Sequence, residues 1–129
     1  MDLVSLPSGL QRLTFGDNFD QWLYYTKFPR GLQSLTFGAE VNQSMDDIKL
    51  PSGLQSLTFG HKFDQNVDNM KLPSGLKSLT FGSQFNQRMC IIKLPQSLQS
   101  LTFGHRFNHT LWNTVLPHPE YPEPKRARR

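Results

Sequence analysis

Very little in this chain could serve as a cross-link, a membrane anchor or a leader. Cys90 is the single cysteine among 129 residues, so no internal disulfide can form. No apolar run reaches the 18 residues that a membrane-spanning helix needs, and no membrane association is expected. The opening MDLVSLPSG has no basic stretch followed by an apolar core, so no signal peptide is expected and cytoplasmic residence is the default. Charge of one sign is also in short supply: 14 Lys and Arg face 10 Asp and Glu. Half of that excess of four lies in the last residues, where Lys125, Arg126, Arg128 and Arg129 outnumber Glu120 and Glu123 by two. The remainder is close to neutral and carries no electrostatic footprint for nucleic acid. Tryptophan occurs twice, whereas phenylalanine occurs ten times, and its placement is regular.

The phrase LPSGLQSLTFG, residues 50 to 60, returns with small changes every 22 residues. Pro7, Pro29, Pro51, Pro73, Pro95 and Pro117 keep this interval without insertion or deletion. Self-similarity at such a period marks a solenoid. Pro-Ser-Gly reads as a corner, with proline suited to the second position of a type I turn. Leu54, Leu57 and Phe59, with Thr58 between the last two, have the alternation of a short strand. Gly60 then reads as a second corner, since glycine accepts positive φ. Phe63, Val67, Met70 and Leu72 are spaced by four, three and two, which fits an irregular return or a short second strand with a single helical turn. The expected fold is mainly β: a solenoid of about five 22-residue coils with short parallel strands and little helix. The array is expected over residues 1–116. The proline-rich, basic stretch 117–129 has no apolar pattern and is expected to be a disordered or extended tail.

Stacking the copies aligns columns. Leu10, Leu32, Leu54, Leu76 and Leu98 form one apolar column, and Phe15, Phe37, Phe59, Phe81 and Phe103 another. A third runs through Leu13, Leu35, Leu57, Leu79 and Leu101. Phe19, Val41, Phe63, Phe85 and Phe107 fill the opposite wall with Leu23, Met45, Val67, Met89 and Leu111. No single coil could bury such a core alone. Thr14, Thr36, Thr58, Thr80 and Thr102 make a ladder on the outward strand face. Asp20, Asn42, Asp64, Asn86 and Asn108 follow the bulky column, where short polar side chains can cap backbone groups of the next coil.

With these columns aligned, the LPxxLxxLxFGxxFN pattern at Leu72 to Asn86 and Leu94 to Asn108 resembles the FNIP repeat family, a relative of the leucine-rich repeats. The resemblance covers residues 1–116 and implies a leucine-rich-repeat-like stack that serves in protein interaction. After Asn86 the chain continues Gln87-Arg88 where the name-giving motif has Ile-Pro, a departure that touches the return segment alone.

Catalysis needs a unique constellation, whereas nearly every polar residue here belongs to a column, so no enzymatic activity and no cofactor are expected. Asp46, Asp47 and Asp68 come from adjacent coils and could hold Ca²⁺ with Asn69, but no bidentate glutamate or known loop spacing supports the metal, and a solvated acidic edge is favoured. His105 and His109 lie four apart on a corner without a third ligand, which argues against zinc. Lys27, Lys49, Lys71 and Lys93 form a basic column, read as a solvated edge that discourages aggregation. The basic run from Lys125 to Arg129 has the composition of a nuclear-import signal.

Recognition belongs where the copies differ. These positions include His61, Lys62, His105 and Arg106 at the second corner, and the aromatic residues Trp22, Tyr24, Tyr25 and Trp112. Aromatic anchors suit an interface; the same residues also suit capping of an end coil. The expected function is a non-catalytic scaffold that binds a protein partner, of unspecified identity, through these variable corners. The alternative is a structural element that self-associates end to end through uncapped coils, and a fragment of a longer array would read in the same way.

Overall fold

Each coil begins at a turn that its proline closes. In the computed structural model the Leu54 N–H donates to the Pro51 carbonyl at 3.2 Å, and Leu10, Leu32, Leu76 and Leu98 do the same to Pro7, Pro29, Pro73 and Pro95. Proline is therefore the first residue of the turn rather than the second: lacking an N–H it cannot donate, but its carbonyl is free to accept. The structure describes residues 6, 7, 9–19, 21, 23, 26–46, 48–87, 94–108 and 125–126.

The strands that follow are short. They are β1 (Arg12–Thr14), β2 (Ser34–Thr36), β3 (Ser56–Thr58), β4 (Ser78–Thr80) and β5 (Ser100–Phe103). All pair in parallel, in the order β1-β2-β3-β4-β5, and every pairing joins residues 22 apart, such as Leu35 with Leu57 and Leu57 with Leu79. This is a mainly β solenoid, and no helix occurs among the described residues. The middle leucine of each of β2, β3, β4 and β5 points into the core while the flanking serine and threonine stay outside it.

A sixth strand, β6 (Lys125–Arg126), lies parallel to β5, with Thr102 opposite Lys125 and Phe103 opposite Arg126. Two residues of the stretch expected to be disordered or extended thus extend the sheet; Pro117 to Pro124 and Ala127 to Arg129 lie outside the described residues.

Gly16, Gly38, Gly60, Gly82 and Gly104 do not have the positive φ expected of the second corner; none of the described glycines has it. At Gly38, Gly60, Gly82 and Gly104 backbones meet, whereas Gly16 in the first coil has nothing within 4 Å of its Cβ position. A Cβ on Gly60 would stand inside 3.0 Å of the Gly38 carbonyl oxygen, and Gly38 and Gly82 are in the same relation to Gly16 and Gly60. The corner itself is closed by a hydrogen bond across two residues, as from Phe63 N–H to the Gly60 carbonyl at 3.4 Å.

The return segment makes a third turn instead of a second strand or a helical one. Ile48 N–H donates to the Met45 carbonyl at 3.3 Å, Met70 to Val67 at 3.0 Å and Thr26 to Leu23 at 2.9 Å. Its odd apolar spacing now has a cause: Val67 and Met70 are the two ends of one turn, and both face inward.

Inside the coils two phenylalanine columns stack. Phe15, Phe37, Phe59, Phe81 and Phe103 succeed one another with ring centroids 5.6, 5.4, 5.3 and 5.4 Å apart and planes within 18° of parallel. These distances exceed the ~4.8 Å between strands, so the rings are slipped, the arrangement their quadrupoles prefer. Phe63, Phe85 and Phe107 stack at 6.0 Å beside them. Val41 interrupts this second column and is fully buried. Met89 and Leu111, expected in the core, lie outside the described residues.

Candidate interaction surface

The second corner displays two residues per coil between its glycine and the following apolar residue. They are Asp17 and Asn18, Ala39 and Glu40, His61 and Lys62, Ser83 and Gln84, His105 and Arg106. These pairs occupy the middle of a turn whose backbone demands are met by the flanking residues, so their side chains are unconstrained by folding. Backbone bonds tie successive tips together: Glu40 N–H to the Asp17 carbonyl at 3.1 Å, Lys62 to Ala39 at 3.0 Å, Gln84 to His61 at 3.1 Å. The result is a fixed ridge that carries variable side chains.

Beneath the ridge, the Asx column holds the backbone. Asn42 Oδ1 accepts the Asp64 N–H at 2.9 Å, Asp64 Oδ1 accepts that of Asn86 at 2.9 Å, and Asn86 Oδ1 that of Asn108 at 3.0 Å. The capping expected from the sequence is present at these positions; Asp20 lies outside the described residues. A second column reinforces it. Gln65 Nε2 donates to Asn42 Oδ1 at 2.9 Å, Gln87 Nε2 to Asp64 Oδ1 at 2.9 Å, and Gln43 bonds both the Gln21 carbonyl and the Leu23 N–H. Sequence reasoning overlooked these glutamines, although Gln21, Gln43, Gln65 and Gln87 keep the 22-residue interval.

Of the expected site residues, His61 and Lys62 each find a partner on an adjacent coil, Lys62 on the preceding one and His61 on the following one. Lys62 Nζ pairs with Glu40 Oε1 at 3.1 Å, the side chains remaining 48% and 41% exposed. His61 Nε2 meets Gln84 Nε2 at 3.3 Å, and His61 Nδ1 meets Ser83 Oγ. Both ring nitrogens of His61 thus face polar groups of the next coil. His105 and Arg106 are exposed at the last described coil and form no hydrogen bond or ion pair among the described residues. Trp22, Tyr24, Tyr25 and Trp112 lie outside the described residues, so the ridge is not extended to them here.

Charge along the ridge is graded. Asp17 and Glu40 occupy the first two coils, His61 and Lys62 the third, His105 and Arg106 the fifth.

The acidic candidates lie elsewhere. Asp46 and Asp68 are half-buried; Asp47 is outside the described residues. Asp46 shares a hollow of about 280 Å³ with Ile48, Lys49, Leu50 and Lys71. With two lysines and one aspartate lining it, the hollow carries no excess of negative charge to attract a cation. No group of three or more His, Cys, Asp or Glu could hold a metal among the described residues, and no helix long and apolar enough to cross a membrane occurs among them. Lys27, Lys49 and Lys71 are exposed, as a solvated edge requires; Lys93 is outside the described residues.

The model of the FNIP repeat matches this chain five times in overlapping register, over residues 2–40, 25–62, 42–84, 63–106 and 85–119. The chain belongs to the FNIP repeat family. Among solved structures it is similar to the crystal structure of CroV588, a novel circular LRR protein, with a TM-score of 0.77 and 42% identity. That likeness covers 88% of this chain and 17% of the other, so the FNIP chain described here spans about a sixth of its structural relative. No curated protein matches it.

Proposed function

We propose that this FNIP-repeat chain is a non-catalytic scaffold that binds a protein partner along the ridge of second-corner tips. The observation that carries the reading is the contrast between a backbone held every 22 residues and ridge side chains that change class from coil to coil where that backbone asks nothing of them. His61, Lys62, His105 and Arg106 would make the contacts, with Trp22, Tyr24, Tyr25 and Trp112 as aromatic anchors. The threonine and serine face is too uniform to encode specificity. Residence in the cytoplasm, or in the nucleus through Lys125 to Arg129, belongs to the same proposal.

The test is capture of partners by the wild-type chain against two variants. Replacing His61, Lys62, His105 and Arg106 by alanine should remove the captured partner and move the melting temperature by no more than the degree or two that the Lys62–Glu40 pair contributes. Replacing Ser56 and Ser78 on the uniform face should leave capture intact. Equal capture by all three would overturn the ridge as the binding surface.

A second reading has one observation in its favour. The relative at 42% identity is circular, and coils so alike favour association of this chain through the ends of its stack.

A further inference from the structure

Two ends of one solenoid are complementary by construction, because each coil offers on one side what its successor needs on the other. The Gln33 and Ser34 N–H groups both reach back to the Gln11 carbonyl, and Gln55 with Ser56, Lys77 with Ser78, and Gln99 with Ser100 repeat this on the preceding coil. By the same geometry the N–H groups of Gln11 and Arg12 face away from β2, on an edge of β1 that pairs with nothing among the described residues. The Gln99 carbonyl faces away from β4, where a following coil would meet it. The apolar interior is open at the β1 end, whereas at the β5 end Leu98, Leu101, Phe103 and Phe107 are at most 4% exposed. Leu10, Leu13, Phe15 and Phe19 are only partly buried, whereas their counterparts Leu32, Leu35, Phe37 and Val41 have at most 1% of their surface exposed.

Charge agrees with this fit. Within the chain, a base and an acid one coil apart on the ridge already pair, as Lys62 does with Glu40. If a second copy continued the stack beyond β5, its Asp17 and Asn18 would stand one coil from His105 and Arg106, all four being exposed. The edge of β5, however, is not empty. Strand β6 lies on it in parallel, opposite Thr102 and Phe103, in the direction that β1 of another copy would take.

We propose that this chain associates head to tail with a second copy of itself, β1 of one docking in parallel on β5 of the other, and that β6 competes for that edge and restrains the association. The proposal rests on the second reading above and adds to it the register, the charge pair and the restraint. Such a contact is heterologous, since the two surfaces differ, and it can propagate from copy to copy.

Sedimentation velocity on full-length chains over a concentration series tests it, with circular dichroism as the control for folding. Proline at both Lys125 and Arg126 removes the β6 donors whichever of them faces β5. The wild-type chain should remain monomeric where this double-proline variant grows into oligomers. In the double-proline background, Asp17→Arg alone or Arg106→Glu alone should weaken association roughly tenfold, as like charges meet across the junction, and mixing the two variants should restore it. Both alter exposed side chains without a partner in the described structure, so the fold should tolerate them. A double-proline variant that stays monomeric with the wild type overturns both the end-to-end reading and the restraint. A wild type that oligomerises as readily as the variant overturns the restraint alone. Association that ignores both charge reversals overturns the β1-on-β5 junction.

Discussion

The carbonyl oxygen of Gly38 occupies the space a side chain on Gly60 would need. Neither group can yield cheaply, because both belong to backbones held in register by hydrogen bonds on either side. Gly60→Ala should therefore force adjacent coils apart, at a cost of about 1–3 kcal/mol or more. Gly75 has nothing within 4 Å of its Cβ position and no positive φ, so Gly75→Ala should be neutral or stabilising by about 0.4–1 kcal/mol. Thermal unfolding of the two variants side by side measures the contrast, and a Gly60→Ala chain that melts with the wild type would contradict the close approach.

The Asx column uses its side chains as acceptors. Asn42 Oδ1 takes bonds from both the Asp64 N–H and Gln65 Nε2, a task that a carboxylate does equally well, and the column indeed alternates Asn with Asp. Asn42→Asp should accordingly leave stability within about 0.5 kcal/mol of the wild type. Asn42→Leu removes the acceptor and should cost about 1 kcal/mol, at the low end of the range for an orphaned donor because water reaches this exposed position. Urea denaturation resolves that difference.

Position in the phenylalanine stack should set the cost of losing a ring. Phe81 packs against Phe59, Phe63, Phe85 and Phe103 and is 2% exposed. Its replacement by alanine should cost about 3–5 kcal/mol. Phe19 is only partly buried and contacts Phe15, so Phe19→Ala should cost less than half as much. Equal losses in denaturant midpoint would mean that the stack is no more continuous at its centre than at its end.

The ion pair on the ridge should matter little to folding. With both side chains close to half exposed, Lys62 and Glu40 contribute at most about 1 kcal/mol, screened by salt. Glu40→Gln should lower the melting temperature by a degree or two at low salt and not at all in 0.5 M NaCl, where the screening length is only about 4 Å. A large loss that persists in salt would make the ridge part of the framework rather than a surface for contacts.

Much of this was legible before any coordinates, and the reason is repetition. A column copied at Leu35, Leu57 and Leu79 declares both its period and its burial, and all three are fully buried. Repetition says less about mechanism at each position. A recurring glycine signals either positive φ or a close backbone approach, and only the distance from Gly60 to Gly38 distinguishes them. A recurring proline marks a turn without saying whether its φ or its carbonyl is used. The glutamines at 43, 65 and 87 were visible as a column, yet their reach to the previous coil depends on geometry across 22 or 23 residues. Strand β6 left no sign at all, because Lys125 and Arg126 repeat nothing.

The third turn also bears on how the molecule would respond to tension. With the chain doubled back three times in each of the first three periods and each winding fastened to its neighbours, a pull on the termini would peel one winding at a time from an end, leaving the others intact. Each winding of 22 residues would release roughly 70–80 Å of thread. The protein would behave less like a rigid strut than like a coiled line that pays out in equal lengths.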